Sequence, residues 1–100
     1  MKIVLICAAG MSTSLVVERM KKEVNSQGLS AEIIAIPLED FDRHVVDASV
    51  MLLGPQVRFK LSDFQSQGKE HGVPVAMINQ MDYGMLNGKK ILDAALALLK

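Results

Sequence analysis

One cysteine stands near the start of this chain, inside the run Cys7-Ala8-Ala9-Gly10-Met11-Ser12-Thr13-Ser14. A thiol followed by small residues and then three hydroxyls is a combination that can do chemistry. Apolar residues 3–6 precede it, and an amphipathic pattern over 14–27 follows it. Cys7 therefore falls at the end of a strand, with a helix opening just beyond. A helix N-terminus offers unpaired backbone N–H groups and partial positive charge. Small side chains and Gly10 let those N–H groups turn inward as a nest for an anion. Ser12, Thr13 and Ser14 add hydroxyl donors, or cap the helix. Such surroundings favour a thiolate, and a thiolate in an oxyanion cradle is suited to receiving a phosphoryl group. A lone cysteine is ordinarily a small buried hydrophobe, and the small residues could be a plain connection. Position, loop length and hydroxyl content together favour the functional thiol.

Related loops are excluded by what is missing. A nucleotide-binding loop needs two spaced glycines and a Lys before Ser or Thr; here Gly10 is alone and no Lys lies near it. The dinucleotide fingerprint is absent as well. Cysteine phosphatases of this layout carry Arg after five intervening residues, where this chain has Thr13, and no Arg occurs before Arg19. Without a guanidinium, hydrolysis should be poorly stabilised, and a phosphocysteine should persist until an acceptor takes it. A low-molecular-weight phosphatase-like enzyme is the alternative reading, and an anion-binding module without chemistry is a third.

The remaining candidates are weaker. His44 and His71 precede the third and fourth strands, so both are expected as exposed residues at the far end of the sheet. Their spacing is not that of metal ligands, and neither a metal nor a cofactor is expected. Asp82 is expected in a solvated loop on the cysteine's side, where it could also act as an acid or base. Met11, Met81, Tyr83 and Met85 are large apolar residues expected on loops there. They form either a docking rim or lids folded onto the core. Gln56, Tyr83 and Met85 are the candidates for partner docking, and Arg58 stands near the same rim.

The elements that must position these residues alternate. Strands are expected at 3–6, 32–36, 50–53 and 75–78. Helices are expected at 14–27, weakly around 39–46, after Val57 as far as Gly68, and at the C-terminus around Ile91, Ala95 and Leu98. Residues 79–86 read as a loop. Strand–helix alternation implies βαβ units and a parallel sheet with helices on both faces. The expected fold is α/β with a four-stranded parallel sheet in flavodoxin-like order 2-1-3-4, and a phosphate-binding loop after strand 1. Ligands of such sheets sit beyond the carboxyl ends of the strands.

Composition agrees with one folded domain over 1–100. Hydrophobic residues make up 50% and charged residues 22%, and 11 basic residues balance 11 acidic ones. A zero net charge argues against nucleic-acid binding by bulk positive charge, and no polybasic tract suggests a membrane anchor. No apolar run approaches the ~20 residues of a membrane span. The single Cys fits a reducing compartment, so a cytoplasmic location with no segment removed is expected.

Strand 1 with Cys7 to Leu15 resembles the enzyme IIB component of the bacterial phosphoenolpyruvate-dependent sugar phosphotransferase system, lactose/cellobiose family. Leu52-Leu53-Gly54-Pro55-Gln56 is similar to that family's segment after strand 3. Asp82-Tyr83-Gly84-Met85 with Asn87-Gly88 is similar to its C-terminal part. The resemblance spans essentially the whole chain, though Asp40 to Ser49 and Arg58 match no motif. It implies a phosphocysteine carrier in which a histidine of the cognate enzyme IIA phosphorylates Cys7. Cys7 would then pass the phosphoryl group to a sugar held by membrane enzyme IIC. The implied substrates are β-linked disaccharides of the cellobiose, diacetylchitobiose or lactose class. The loop Ala8, Ala9, Gly10, Met11, Ser12, Thr13 and Ser14 would hold the phosphate.

Overall fold

The computed structural model describes residues 1–7 and 11–99, and of residues 11–14 the backbone only. Its centre is a strand with no polar side chain after its first residue. In β1 (Lys2–Cys7), Ile3, Val4, Leu5 and Ile6 are all inaccessible to solvent. A β-branched run of this kind suits a strand covered on both faces. β1 pairs in parallel with β2 (Glu32–Pro37) on one side and β3 (Val50–Leu53) on the other, and β3 pairs with β4 (Val75–Met77). The order is β2-β1-β3-β4, as the alternation of elements predicts.

The period-2 alternation of β1 divides the core in two. Ile3 and Leu5 face α1 (Met11–Ser26) and α5 (Gly88–Leu98), meeting Val16, Met20, Ile91 and Leu92. Val4 and Ile6 face the opposite layer, where they meet Phe41, Val57 and Phe64. That layer is made of short pieces: a 3-10 turn over 38–40, α2 (Phe41–Val45), a 3-10 segment over 55–60 and α3 (Leu61–Glu70). Phe41 and Phe64 stack with ring centroids 4.0 Å apart, tying α2 to α3.

Helix α1 starts at Met11, three residues ahead of the expected start, so Ser12, Thr13 and Ser14 lie within its first turn. Its stripe Val16, Met20, Val24 is buried at four-residue spacing, while Leu15 is exposed. The helix stops where Gly28 takes φ +66°. The Gly28 N–H donates to Asn25 and the Leu29 N–H to Val24, a Schellman closure.

Residues 79–86 contain a helix rather than only a loop. α4 (Gln80–Gly84) is capped by Asn79, whose Oδ1 accepts from the N–H groups of Met81 at 2.9 Å and Asp82 at 3.1 Å. α5 then begins at Gly88, pressed against α1: a Cβ there would lie 2.6 Å from the Arg19 carbonyl carbon. At the β4 edge of the sheet, Gln65 Nε2 donates to the Val75 carbonyl at 3.0 Å. Among the described residues, no helix is long and apolar enough to cross a membrane.

Candidate functional site

Cys7 is the last residue of β1, paired with Pro37 of β2 at the carboxyl end of the sheet. Burial between neighbouring strands leaves it 2% exposed, so the thiol is enclosed rather than open to water. Its Sγ lies 3.8 Å from the Ile36 carbonyl oxygen, to which the S–H donates a weak hydrogen bond. Ala8, Ala9 and Gly10 of the expected phosphate loop lie outside the described residues, as do the side chains of Met11, Ser12, Thr13 and Ser14. The backbone of the last four forms the first turn of α1, whose N-terminus follows Cys7 closely in the chain.

The ends of β3 and β4 meet beside this strand. The Gly54 N–H donates to the Ile6 carbonyl at 2.8 Å, carrying the sheet one step past β3, and the Ile78 N–H donates to Leu53 at 2.8 Å. The position a Cβ would take at Gly54 lies 3.4 Å from the Ile6 carbonyl oxygen and 3.7 Å from Cε2 of Tyr83. Tyr83 thus reaches from α4 across the end of β3, next to the residue that precedes Cys7. Its hydroxyl accepts a hydrogen bond from Gln56 Nε2 at 3.3 Å. The structure therefore brings Gln56 and Tyr83 together.

The apolar residues of this face divide into two kinds. Tyr83 is half-buried and packs on the α1/α5 core. Met81 and Met85 stay 72% and 70% exposed, and so does Phe59 at 71%. Exposure of that extent shows that the two methionines do not fold inward as core lids. Sequence reasoning misses Phe59. Its signal is positional, because Val57, Leu61 and Phe64 already supply the buried face of that segment and Phe59 falls off it.

Asp82 is a half-buried residue in the first turn of α4, not a loop residue open to solvent, because Asn79 closes that segment into a helix. His71 is exposed just after α3. His44 is half-buried on α2, not fully exposed as expected, because it sits beside Val45, which is buried in the core together with Phe41. Both histidines lie on segments that lead into the amino ends of β4 and β3, away from Cys7.

Residues 2–94 match the family model described as PTS system, lactose/cellobiose specific IIB subunit. The chain belongs to that family. It is similar to an oligo-β-mannoside-specific EIIB component of Bacillus subtilis strain 168, with 40% identity over 98% of this chain and 95% of the relative. A galactose-specific EIIB component of Lactococcus lactis subsp. cremoris is 42% identical over 93% of this chain and 91% of the relative. A cellobiose-specific EIIB component of Lactococcus lactis subsp. lactis matches to the same extent. Among solved structures, the cellobiose-specific IIB component of Borrelia burgdorferi superposes with a TM-score of 0.81 at 40% identity, over 97% of this chain and 89% of that one. The lactose-specific IIB domain of Streptococcus pneumoniae superposes with a TM-score of 0.85 over 97% of this chain and 95% of that one. At 18% identity, that likeness speaks for the fold alone. This IIB subunit is thus a component of a sugar phosphotransferase system.

Proposed function

We propose that this IIB subunit is a cytoplasmic phosphocysteine carrier, with Cys7 as the residue that holds the phosphoryl group. The observation that carries the reading is the position of the chain's one cysteine, at the carboxyl end of the central strand and directly ahead of α1. A phosphohistidine of a cognate enzyme IIA is the donor. The Cys7 thiolate attacks phosphorus, the S–P bond forms and the N–P bond breaks, leaving a neutral donor imidazole once it takes a proton. In the second step a hydroxyl of a sugar bound by enzyme IIC attacks phosphorus. The S–P bond breaks, the hydroxyl loses its proton, and the thiolate returns.

Phosphoryl transfer needs positioning and charge stabilisation more than covalent help from the protein. Backbone N–H groups at a helix start supply both. Phosphorylation removes the S–H proton, so the weak bond from Sγ to Ile36 is lost in the phosphorylated state. The residues Ala8 to Ser14 are proposed to hold the phosphate, and Gln56, Tyr83 and Met85 to contact the partners. The sugar is proposed to be a β-linked disaccharide of the cellobiose, chitobiose or lactose class. Relatives specific for cellobiose and for oligo-β-mannosides support β-linked acceptors.

The test is intact-mass analysis after incubation with phosphoenolpyruvate, enzyme I, the carrier protein HPr and a cognate enzyme IIA. The expected result is one added phosphate on the wild-type protein and none on Cys7→Ser. Phosphate retained by that variant would remove Cys7 from the role.

A further inference from the structure

Methionine occupies two kinds of place in this fold. Met20 and Met51 are inaccessible to solvent, one in each half of the core. Met81 and Met85 belong to neither half and are largely exposed. They stand four residues apart across α4, and the Met85 N–H donates to the Met81 carbonyl at 3.0 Å, closing the turn between them. Side chains at this spacing are neighbours on a helix surface. The same short helix sends Tyr83 to within 3.7 Å of the Cβ position at Gly54, so the two thioethers stand at the carboxyl end of the sheet.

Exposure decides their chemistry. A thioether sulfur open to solvent reacts with a hydroperoxide. The O–O bond breaks, an S–O bond forms, sulfur is oxidised by two electrons and hydrogen peroxide is reduced to water. The product is methionine sulfoxide, polar and chiral where the thioether was apolar and flexible, and reductases reverse it. The sulfurs of Met20 and Met51 are shielded from this reaction by burial. Because Met81 and Met85 pack in neither core cluster, their oxidation leaves the fold standing and changes only what the surface offers.

That change matters where methionine meets a partner. Met is enriched at protein interfaces, and its adaptable apolar side chain is what a transient contact uses. A sulfoxide brings an oxygen that must be desolvated when the surfaces meet. We propose that Met81 and Met85 are sites of reversible oxidation by hydroperoxides, and that their sulfoxides weaken the docking of phosphorylated enzyme IIA on this face. The inference rests on the partner-docking reading above.

The experiment treats wild-type protein and a Met81→Leu/Met85→Leu variant with hydrogen peroxide and then with dithiothreitol. The thiol reverses sulfenic acid at Cys7 but not methionine sulfoxide. Peptide mass mapping locates the added oxygen. The KM for phosphorylated enzyme IIA is measured from phosphate uptake, each protein against its own untreated sample. Residual oxidation of Cys7 removes active protein and lowers the maximal rate, not the KM. Met81 and Met85 should gain oxygen well before Met20 and Met51. The wild-type KM should then rise about fivefold, the loss of one good interface contact, and fall back after methionine sulfoxide reductases A and B. The KM of the variant should stay within about twofold of its untreated value. An unchanged KM in wild-type protein that carries both oxygens overturns the inference. So does an equal rise in the variant, which would assign the effect to another residue, and so does oxidation of Met20 and Met51 at the same rate. Untreated Met85→Ser separates the two readings. If its KM rises while that of oxidised wild type does not, the oxidation inference alone fails; if neither rises, the docking reading fails with it.

Discussion

At the scale of the residue, Cys7 combines enclosure with a weak donor role toward Ile36. A serine hydroxyl can occupy the same position and donate to the same carbonyl, so Cys7→Ser should fold like the wild type and shift stability by no more than about 1 kcal/mol. Its circular dichroism spectrum and urea midpoint check this, apart from its loss of phosphate uptake. Met85 is the opposite case, a large side chain with little packing to lose. Met85→Ser should leave stability within about 0.5 kcal/mol of wild type, yet raise the KM for phosphorylated enzyme IIA several-fold. Unchanged donor kinetics would remove Met85 from the docking rim. The place of Cys7 at the end of β1, just ahead of α1, was legible in the sequence because a β-branched run, small residues and a helical pattern follow one another without interruption. The Tyr83–Gln56 hydrogen bond was not, since it joins residues 27 apart in sequence through the meeting of two strand ends.

At the scale of the element, legibility follows the clarity of the pattern. β3 lies at the expected residues 50–53, an unbroken apolar run; the amphipathic α5 is found around the expected Ile91, Ala95 and Leu98; and α1 is found with shifted ends, because long periodic patterns are bound to their cores. The five-residue α4 is too short to show a period, and only the cap formed by Asn79 reveals it. The segment after Gly54 reads as one helix from Val57, Leu61 and Phe64 but is a 3-10 segment followed by α3, with Val57 out of helical geometry at φ −115°. The junction of α1 and α5 carries a prediction of its own. With the Arg19 backbone 2.6 Å from a Cβ at Gly88, even alanine must push the helices apart. Gly88→Ala should cost about 1–3 kcal/mol, read as a lowered urea midpoint with an unchanged slope. Full wild-type stability would mean that the contact yields freely.

At the scale of the whole molecule, the strand order places β1 between two neighbours and two helical layers, and Cys7 ends that strand. The alternation of strands and helices made this order legible, because right-handed crossovers leave few arrangements of four strands. The placement implies graded rigidity. Backbone amides of Ile3 to Ile6 should exchange with deuterium only through global unfolding, while those of α4 should exchange orders of magnitude faster through local opening. Equal protection in both would refute this separation of a rigid strand from a yielding rim. The Gln65 side chain at the β4 edge has a further consequence, for colloidal behaviour. An edge strand presents unpaired carbonyls that can template pairing with another chain. By occupying the Val75 carbonyl, Gln65 removes one of those acceptors from the outer edge of a strand only three residues long. Gln65→Ala should therefore fold normally but scatter more light as concentration rises. The amide at position 65 would then be a safeguard against self-association, far from Cys7 and silent in any assay of phosphate transfer.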